Sequence, residues 1–240
     1  MKPSKDLPGG SLPTDKKLIL TEDGSPTLYS TVFDATYHSL HGAIQESIHV
    51  FIKSGLAHFL KTIDRNSIRI FEMGFGTGLN AYLTALMSKE DISIEYHSVE
   101  KYPVSPTLVN DLISPLTIAF KDNLFDQDLF KKLHSVSWGE KQSIKEGFDL
   151  HLYNEDILSM TLPEEIDLFY FDAFGPGTQP ELWGHEITSK FFAKASDNAC
   201  LVTYSAQGAF RRSLITAGFD VEKIPGPPGK REMIRATKRV

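Results

Sequence analysis

The chain has 240 residues, of which 41% are apolar and 23% charged, and its formal net charge is −6. This length and composition are typical of a soluble globular protein with one domain. They exclude a membrane-spanning protein, because no apolar run approaches the roughly 20 residues that cross a bilayer. The N-terminus lacks the apolar stretch of a secretory signal. The single cysteine, Cys200, excludes an internal disulfide and indicates a reducing, cytoplasmic location.

The first 66 residues are predicted to form an N-terminal extension. Residues 1–15 are rich in Pro, Gly, Ser and Lys and are expected to be flexible. Residues 16–66 are expected to form a hairpin and a helical lid. Asp23-Gly24 between two β-like runs predicts the hairpin, and apolar residues at near-helical spacing from Ser39 to Leu60 predict a helix that breaks near Gly55. Residues 67–240 are expected to form the core, within a single compact domain overall.

From Ile68 onward, predicted strands and helices alternate. Seven strands are predicted, at Ile68–Met73, Ile94–Val99, Phe148–Tyr153, Ile166–Phe171, Ala199–Tyr204, Phe219–Ile224 and Glu232–Ala236. This alternation is typical of an α/β protein with a mostly parallel sheet and helices on both faces. The segment between the last two strands is shorter than the dozen or so residues of a parallel crossover, so the last strand is predicted to be antiparallel. Such a sheet resembles the Rossmann-like class I methyltransferase fold more than the dehydrogenase fold.

A glycine-rich loop joins the first core strand to the next helix. A strand, a glycine turn and a helix present backbone N–H groups to a ligand. Leu79 stands where the dinucleotide fingerprint has its third glycine, which favours a nucleoside without a pyrophosphate, such as S-adenosylmethionine, over NAD. A turn that binds no ligand is the alternative. The candidate cofactor-binding residues here are Glu72, Gly74, Gly76, Gly78 and Asn80.

Acidic residues follow the next strands, at the edge where ligands bind in open α/β sheets. Glu100 ends the second strand, and a carboxylate there can accept both hydroxyls of a ribose; the alternative is a polar strand end. Asp156 follows the third strand and is a candidate acceptor for the adenine amino group, with Ile157 packed on the ring. Glu155 is the rival for this contact.

Asp172 ends the fourth strand and begins an irregular loop that is rich in Gly and Pro. An acid in this place is a candidate for catalysis or substrate binding; a helix N-cap is the alternative. Six basic residues and one acid lie between Lys223 and Val240. The loop before the last strand is expected on the same edge as Asp172, which favours a polyanionic substrate over a solvated tail. No persuasive metal site is found, since no Cys or Glu completes a ligand set beside His38 and His41.

Four segments together resemble one family: FEMGFGTGLN, FYFDAFGPGTQPELW, VTYSAQGAFRRSLITAGF and PGPPGKREM. They are similar to the methyltransferase domain of the bacterial tRNA 5-aminomethyl-2-thiouridine (mnm5s2U) modification enzymes. The N-terminal segment FDATYHSLHGAIQESIHVFIKSG is similar to the same family. The resemblance implies methyl transfer from S-adenosylmethionine to the primary amine of 5-aminomethyl-(2-thio)uridine at the tRNA wobble position. It implies a methyltransferase core at residues 67–240.

The resemblance also implies roles for particular residues. Asp172 matches the catalytic aspartate, the three glycines face the methionine part of the cofactor, Glu100 binds its ribose, and Asp156 with Ile157 binds its adenine. The implied substrate-binding residues are Tyr37, Phe174, Pro176, Gln207, Lys230 and Arg231. We expect tRNA to bind through the C-terminal basic loop and tail, with no metal and no membrane involved.

Two features depart from the family pattern. Many members carry a flavin oxidoreductase domain that makes the aminomethyl substrate; we expect this chain to be a stand-alone form without FAD, served by a separate enzyme. Thr178 or Gln179 stands where many members have a lysine, so a tRNA contact by that lysine is not expected. The alternative functions are methylation of another amine, an NAD-linked oxidoreductase and a non-catalytic nucleoside-binding module.

Overall fold

The computed structural model describes residues 15–64, 66–88, 91–121 and 124–239. The predicted flexible N-terminus lies outside the described residues except for Asp15. None of the helices in the described ranges is long and apolar enough to cross a membrane.

The described residues contain a central sheet of eight strands in the order β10-β11-β9-β8-β4-β5-β7-β6. Its strands are β4 (Ser67–Met73), β5 (Ser93–Val99), β6 (Lys141–Lys145), β7 (Phe148–Tyr153), β8 (Ile166–Phe171), β9 (Ala195–Thr203), β10 (Asp220–Pro225) and β11 (Glu232–Thr237). Strands β7, β5, β4, β8 and β9 pair in parallel. Strand β11 is antiparallel to both of its neighbours, β9 and β10, which confirms the predicted direction of the last strand.

The predicted number of seven strands is wrong, because β6 is an additional antiparallel strand at the edge, beside β7. Its sequence, KQSIK, contains one buried residue, Ile144, and four polar residues. An edge strand needs only one apolar side chain toward the core, so this segment lacks the apolar run that marks the central strands.

Helices cover both faces of the sheet, as predicted. Their bounds are α1 (Ala43–Ser47), a π-helix (Ile48–Leu56), α2 (Ala57–Phe59), α3 (Leu79–Met87), α4 (Pro106–Ala119), α5 (Gln127–His134), a 3₁₀ turn (Pro180–Trp183), α6 (His185–Lys194) and α7 (Gly208–Ala217). The π-helix and the α3–α5 helices share one apolar cluster with the sheet, and α6 and α7 share the other. Helix α7 ends at Gly218, whose φ of 114° is in the left-handed region.

The N-terminal extension contains the predicted hairpin. Strands β1 (Lys16–Leu20) and β2 (Pro26–Ser30) pair antiparallel, and the short β3 (Ala35–Thr36) adds to β2. The helix predicted for Ser39–Leu60 forms, but the break near Gly55 is wrong, since the π-helix runs through it. A Cβ at Gly55 would lie 3.0 Å from Val202 Cγ2, so this glycine allows the helix to pack closely on the sheet. The division into lid and core stays a prediction.

Candidate functional site

One cleft opens at the carboxyl edge of the parallel strands, where ligands bind in open α/β sheets. Its lining comes from the glycine loop after β4, the ends of β5, β7 and β8 and the N-terminal extension. It brings together Tyr37, Gly74, Gly76, Asn80, Glu100, Asp156, Ile157, Asp172 and Phe174, all predicted from the sequence. Of the other predicted cofactor residues, Gly78 begins α3 with a φ of 72°, and Glu72 lies beneath the cleft, fully buried in β4.

The glycine loop lies directly against the two sides of the cleft. Gly74 has a φ of 97°, and a Cβ there would lie 2.8 Å from the backbone oxygen of Asp172. Gly76 has a φ of 52°, and a Cβ there would lie 3.1 Å from Cδ1 of Tyr37. Both positions therefore require glycine, for backbone conformation and for space.

Glu100 braces the glycine loop. Its Oε2 accepts a hydrogen bond from the backbone N–H of Gly76 at 3.0 Å, and its Oε1 accepts one from the N–H of Tyr102 at 2.8 Å. A carboxylate has about four lone-pair sites, so two such bonds leave capacity for the two hydroxyls of a ribose. The sequence did not reveal the bracing role, and ribose binding stays a prediction.

Asp156 and Glu155 both line the cleft. Asp156 Oδ2 accepts from Lys101 Nζ at 2.8 Å, and Oδ1 accepts from the backbone N–H of Leu158 at 3.0 Å. Partial burial opposes ionisation, but these hydrogen bonds outweigh it and lower the pKa of Asp156. Asp156 is thus a fixed carboxylate, whereas Glu155 is exposed. Which of them contacts adenine stays open.

Asp172 is held at the centre of the edge by Asn80, whose Nδ2 donates to Asp172 Oδ2 at 2.8 Å. Burial, and after it the charge of Glu46, raise the pKa of Asp172 to about 7, while Asn80 and Lys230 oppose the rise. The next helical turn starts only at Pro180, so the N-cap alternative does not apply. A carboxyl group with this pKa can accept a proton near neutral pH.

Hydrogen bonds from two aromatic side chains hold the irregular segment after Asp172. Trp183 Nε1 donates to the backbone oxygen of Phe174 at 2.8 Å, and the Tyr204 hydroxyl donates to that of Ala173 at 2.8 Å. These bonds satisfy carbonyl groups that have no partner in a regular element. The two bonds therefore hold the backbone that directly follows Asp172.

Four aromatic side chains form an aromatic wall in the same cleft that Asp172 lines. The Phe174 ring lies 4.9 Å from that of Phe33 and 5.0 Å from that of Tyr37, between ring centroids. Phe33 also lies 5.7 Å from Tyr102. The sequence analysis missed Phe33 and Tyr102, and their only signal was their position beside Tyr37 and Glu100. Such a wall favours a planar ring as ligand.

Glu72 does not line the cleft; its side chain is buried in the sheet below the glycine loop. Ser98 Oγ donates to its Oε2 at 2.7 Å. Burial is the main reason that the pKa of Glu72 rises to about 8. The carboxyl group is therefore largely neutral at pH 7, and its predicted contact with the cofactor stays a prediction.

Most of the basic residues in the tail form ion pairs with acidic residues of the same chain. Its ion pairs are Lys223–Glu232, Lys230–Glu46, Arg235–Glu222 and Arg239–Asp220. Lys230 and Arg231 line a second, open depression beside Tyr204, Ser205 and Ala206. Pro176 and Gln207 lie in the lining of neither depression. Most of the tail therefore does not form a free cationic patch.

The cleft fits a nucleoside cofactor with an amino-acid tail. Asn80 Oδ1 is buried without a hydrogen-bond partner among the described residues, and the glycine loop leaves a cradle that side chains would fill. Glu100 supplies acceptor capacity at the next strand end. In the described ranges, no group of three or more His, Cys, Asp or Glu residues could hold a metal ion.

Comparisons with known proteins agree with this geometry. Residues 122–239 match the model of a family described as S-adenosyl-L-methionine-dependent methyltransferase. The structure superposes on that of MNMC2 from Aquifex aeolicus with a TM-score of 0.71 and 26% identity, covering 97% of this chain and 72% of that one. It also superposes on spermidine synthase from Thermotoga maritima with a TM-score of 0.54 and 9% identity, over 93% and 68% of the two chains, a likeness of fold alone. The chain therefore has the fold of S-adenosylmethionine-dependent methyltransferases, and its C-terminal part matches the family of that description.

The sequence relatives narrow the resemblance further. A tRNA 5-methylaminomethyl-2-thiouridine biosynthesis bifunctional protein MnmC from Marinomonas sp. (strain MWYL1) is 30% identical over 223 residues, which cover 88% of this chain and 32% of that protein. The protein of the same name from Cupriavidus metallidurans is 32% identical, over 90% and 33%. The chain thus spans about a third of the length of the curated relatives it matches. The resemblance to the methyltransferase part of this family, predicted from the sequence, is confirmed.

Proposed function

We propose that the protein transfers a methyl group from S-adenosylmethionine to the primary amine of 5-aminomethyl-(2-thio)uridine at the wobble position of tRNA, giving 5-methylaminomethyl-(2-thio)uridine. The observation that carries the proposal is Asp172, a carboxyl group fixed by Asn80 at the edge of the cleft with a pKa of about 7. The names of the relatives support the class of substrate.

The chemistry of an amine acceptor requires a group like Asp172. An alkylammonium has a pKa near 10, close to that of lysine, so its lone pair is largely protonated at pH 8. When bound, the cofactor supplies an electrophilic methyl group on a sulfonium. Ionised Asp172 first accepts the proton that the ammonium must lose, and then holds the neutral amine by a hydrogen bond with its lone pair toward the methyl carbon. As the C–N bond forms, the C–S electron pair stays on sulfur and the product leaves as a secondary ammonium, after which Asp172 releases its proton to water.

The other cleft residues divide between the two substrates in this proposal. The glycine loop and Asn80 hold the methionine part, Glu100 the ribose, and Asp156 or Glu155 the adenine. The aromatic wall of Phe33, Tyr37, Tyr102 and Phe174 encloses the uracil ring beside Asp172. Excluding water there strengthens the contact between carboxylate and amine.

The test is nucleoside mass spectrometry of tRNA that carries 5-aminomethyl-uridine, with and without the 2-thio group, after incubation with enzyme and S-adenosylmethionine. We expect a gain of one methyl group on the wobble nucleoside. Matched tRNA that lacks the aminomethyl group should gain none. Methylation of free amines but not of tRNA would replace the proposal with a small-amine methyltransferase, and thermal stabilisation by NAD but not by S-adenosylmethionine would refute the whole class.

A further inference from the structure

An ion pair with a buried carboxylate joins the N-terminal extension to the C-terminal hairpin, which is formed by β10, β11 and the loop between them. Lys230 Nζ donates to Glu46 Oε1 at 2.6 Å across 184 residues of sequence. Glu46 is only 6% exposed, and its Oε2 accepts from the backbone N–H of Ser39 at 2.7 Å. Both carboxylate oxygens therefore have donors, as a buried charge requires.

The ammonium group of Lys230 lies over the ring of Tyr204, which holds the loop after Asp172. Lys230 Nζ is 3.8 Å from the centroid of the Tyr204 ring, within cation–π range. The hydroxyl of Tyr204 donates to the backbone oxygen of Ala173, the residue that follows Asp172. A continuous chain of contacts thus runs from Glu46 to the residue beside Asp172.

Further contacts hold the hairpin loop against the extension. A ring nitrogen of His49, Nε2, is 2.8 Å from the backbone oxygen of Pro225. Gly229 has a φ of 81°, and a Cβ there would overlap the His41 ring. The hairpin loop therefore contacts the extension at several points, and the ion pair is the one that also contacts Tyr204.

We propose that Glu46 and Lys230 are positioning residues for methyl transfer: they clasp the hairpin loop to the N-terminal extension and, through Tyr204, hold Asp172 toward the amine. The inference rests on the proposed function of Asp172. It also assigns Lys230 an internal role in place of the predicted tRNA contact, because its ammonium group is already engaged by a carboxylate and a ring.

The charges of the pair act on Asp172 as well. The titratable groups that face Asp172 come from five segments of the chain and are Glu46, Glu72, Tyr96, Tyr204 and Lys230. Glu46 adds to the effect of burial in raising the pKa of Asp172, and Lys230 opposes it. Neutralising Glu46 alone therefore lowers the pH at which Asp172 titrates, whereas a purely mechanical clasp has no such signature.

The experiment follows Asp172 directly, by ¹³C NMR titration of its carboxyl group in the full-length free protein. We compare the wild type with Glu46→Gln, the neutral double variant Glu46→Gln/Lys230→Met, and Lys223→Met as control. The control removes an ion pair of similar length, with Glu232, from the same hairpin. We expect Glu46→Gln to lower the Asp172 midpoint by on the order of 0.5 to 1 pH unit, the double variant to shift it less, and the control to leave it unchanged.

A kinetic arm separates positioning from folding and from tRNA binding. Glu46→Gln and the double variant should each lose about tenfold or more in kcat, and to a similar extent because both break the same ion pair, while the KM for S-adenosylmethionine and the Tm change little. An unchanged Asp172 midpoint in Glu46→Gln, or a wild-type kcat in the double variant, would overturn the inference. The titration needs no substrate, so inactivity of the wild type on aminomethyl-uridine would refute only the proposed function.

Discussion

Replacing Asp172 with Asn removes a charge while keeping a hydrogen-bond acceptor. Asn80 Nδ2 donates to Asp172 Oδ2 at 2.8 Å, and the amide oxygen of an introduced Asn can accept the same bond. Burial, followed by the charge of Glu46, raises the pKa of Asp172 from an ordinary 3.8 to about 7. The variant therefore isolates what the ionised carboxylate does to stability and to catalysis.

The effect on stability has a definite sign and pH dependence. Because the pKa is higher in the folded state, ionised Asp172 destabilises the fold; the penalty is absent below about pH 4 and complete above about pH 7. The full shift corresponds to roughly 4 kcal/mol at 1.36 kcal/mol per pH unit. Since the side chain is partly open to the cleft, screening reduces this to about 2 kcal/mol. For a chain of this length, that is a rise in Tm of roughly 4–8 °C.

The same substitution should abolish most of the activity. Loss of a positioned proton acceptor lowers kcat by about 10²- to 10⁴-fold, while affinity for S-adenosylmethionine stays within a factor of about two. The assays are transfer of a labelled methyl group at saturating cofactor, calorimetric titration of the cofactor, and Tm by scanning calorimetry at pH 8 and pH 5. At pH 5, where part of the folded-state carboxyl group is protonated, the gain in stability should be smaller than at pH 8.

The matched control is Asp111→Asn, an exposed aspartate on α4, which should change neither activity nor the pH dependence of Tm. A lower Tm of Asp172→Asn at pH 8, or an equal gain at both pH values, would refute a charge held at a raised pKa. A kcat near that of the wild type would refute the catalytic assignment.

Three further predictions concern the cofactor loop and the nucleic acid. Gly76→Ala, with a φ of 52° and an aromatic ring 3.1 Å from the added Cβ, should lower cofactor affinity by about tenfold or more in calorimetry, whereas Gly177→Ala, in open space, should not. Glu100→Gln leaves one acceptor oxygen for two backbone N–H groups and places an NH2 donor against the other, so it should lower cofactor affinity by a similar factor while leaving kcat at saturation within about threefold; a wild-type Kd would reject its assigned role. Arg231→Met should raise the KM for tRNA and reduce its salt slope by about one, since Arg231 makes no ion pair with the described residues, whereas Lys223→Met, which removes a paired lysine, should not; equal slopes in both variants would reject the contact.

Most of the fold could be predicted, because its determinants are local. The central strands are apolar runs bounded by polar or glycine residues, and the short connection from β10 to β11 requires an antiparallel pair. Strand β6 was missed because an edge strand carries little apolar signal. Gly55 was misread as a helix break because its role is close packing against Val202, and that contact joins residues far apart in sequence.

Part of the candidate site could be predicted, because the carboxyl ends of parallel strands lie at one edge of the sheet. This rule alone brought Glu100, Asp156 and Asp172 together. The rule could not predict the hydrogen bond from Asn80 to Asp172 or the raised pKa of the buried Glu72. It also could not show that Lys230 is paired with Glu46, since a charge count does not reveal partners 184 residues away.

In the proposed function, one side of the cleft binds the cofactor and the other side selects the methyl acceptor. The fold is shared with a protein named as a spermidine synthase at 9% identity, so this fold alone does not determine the reaction or the acceptor. In the proposed function, the methyl acceptor binds instead where the N-terminal extension and the C-terminal hairpin meet beside the loop after Asp172. On this proposal, selection of the acceptor depends on contacts between these segments, and the Glu46–Lys230 pair, whose carboxylate is buried, is one of them. Exchanging the glycine loop between such enzymes should change cofactor affinity, whereas exchanging the extension and hairpin together should change the acceptor.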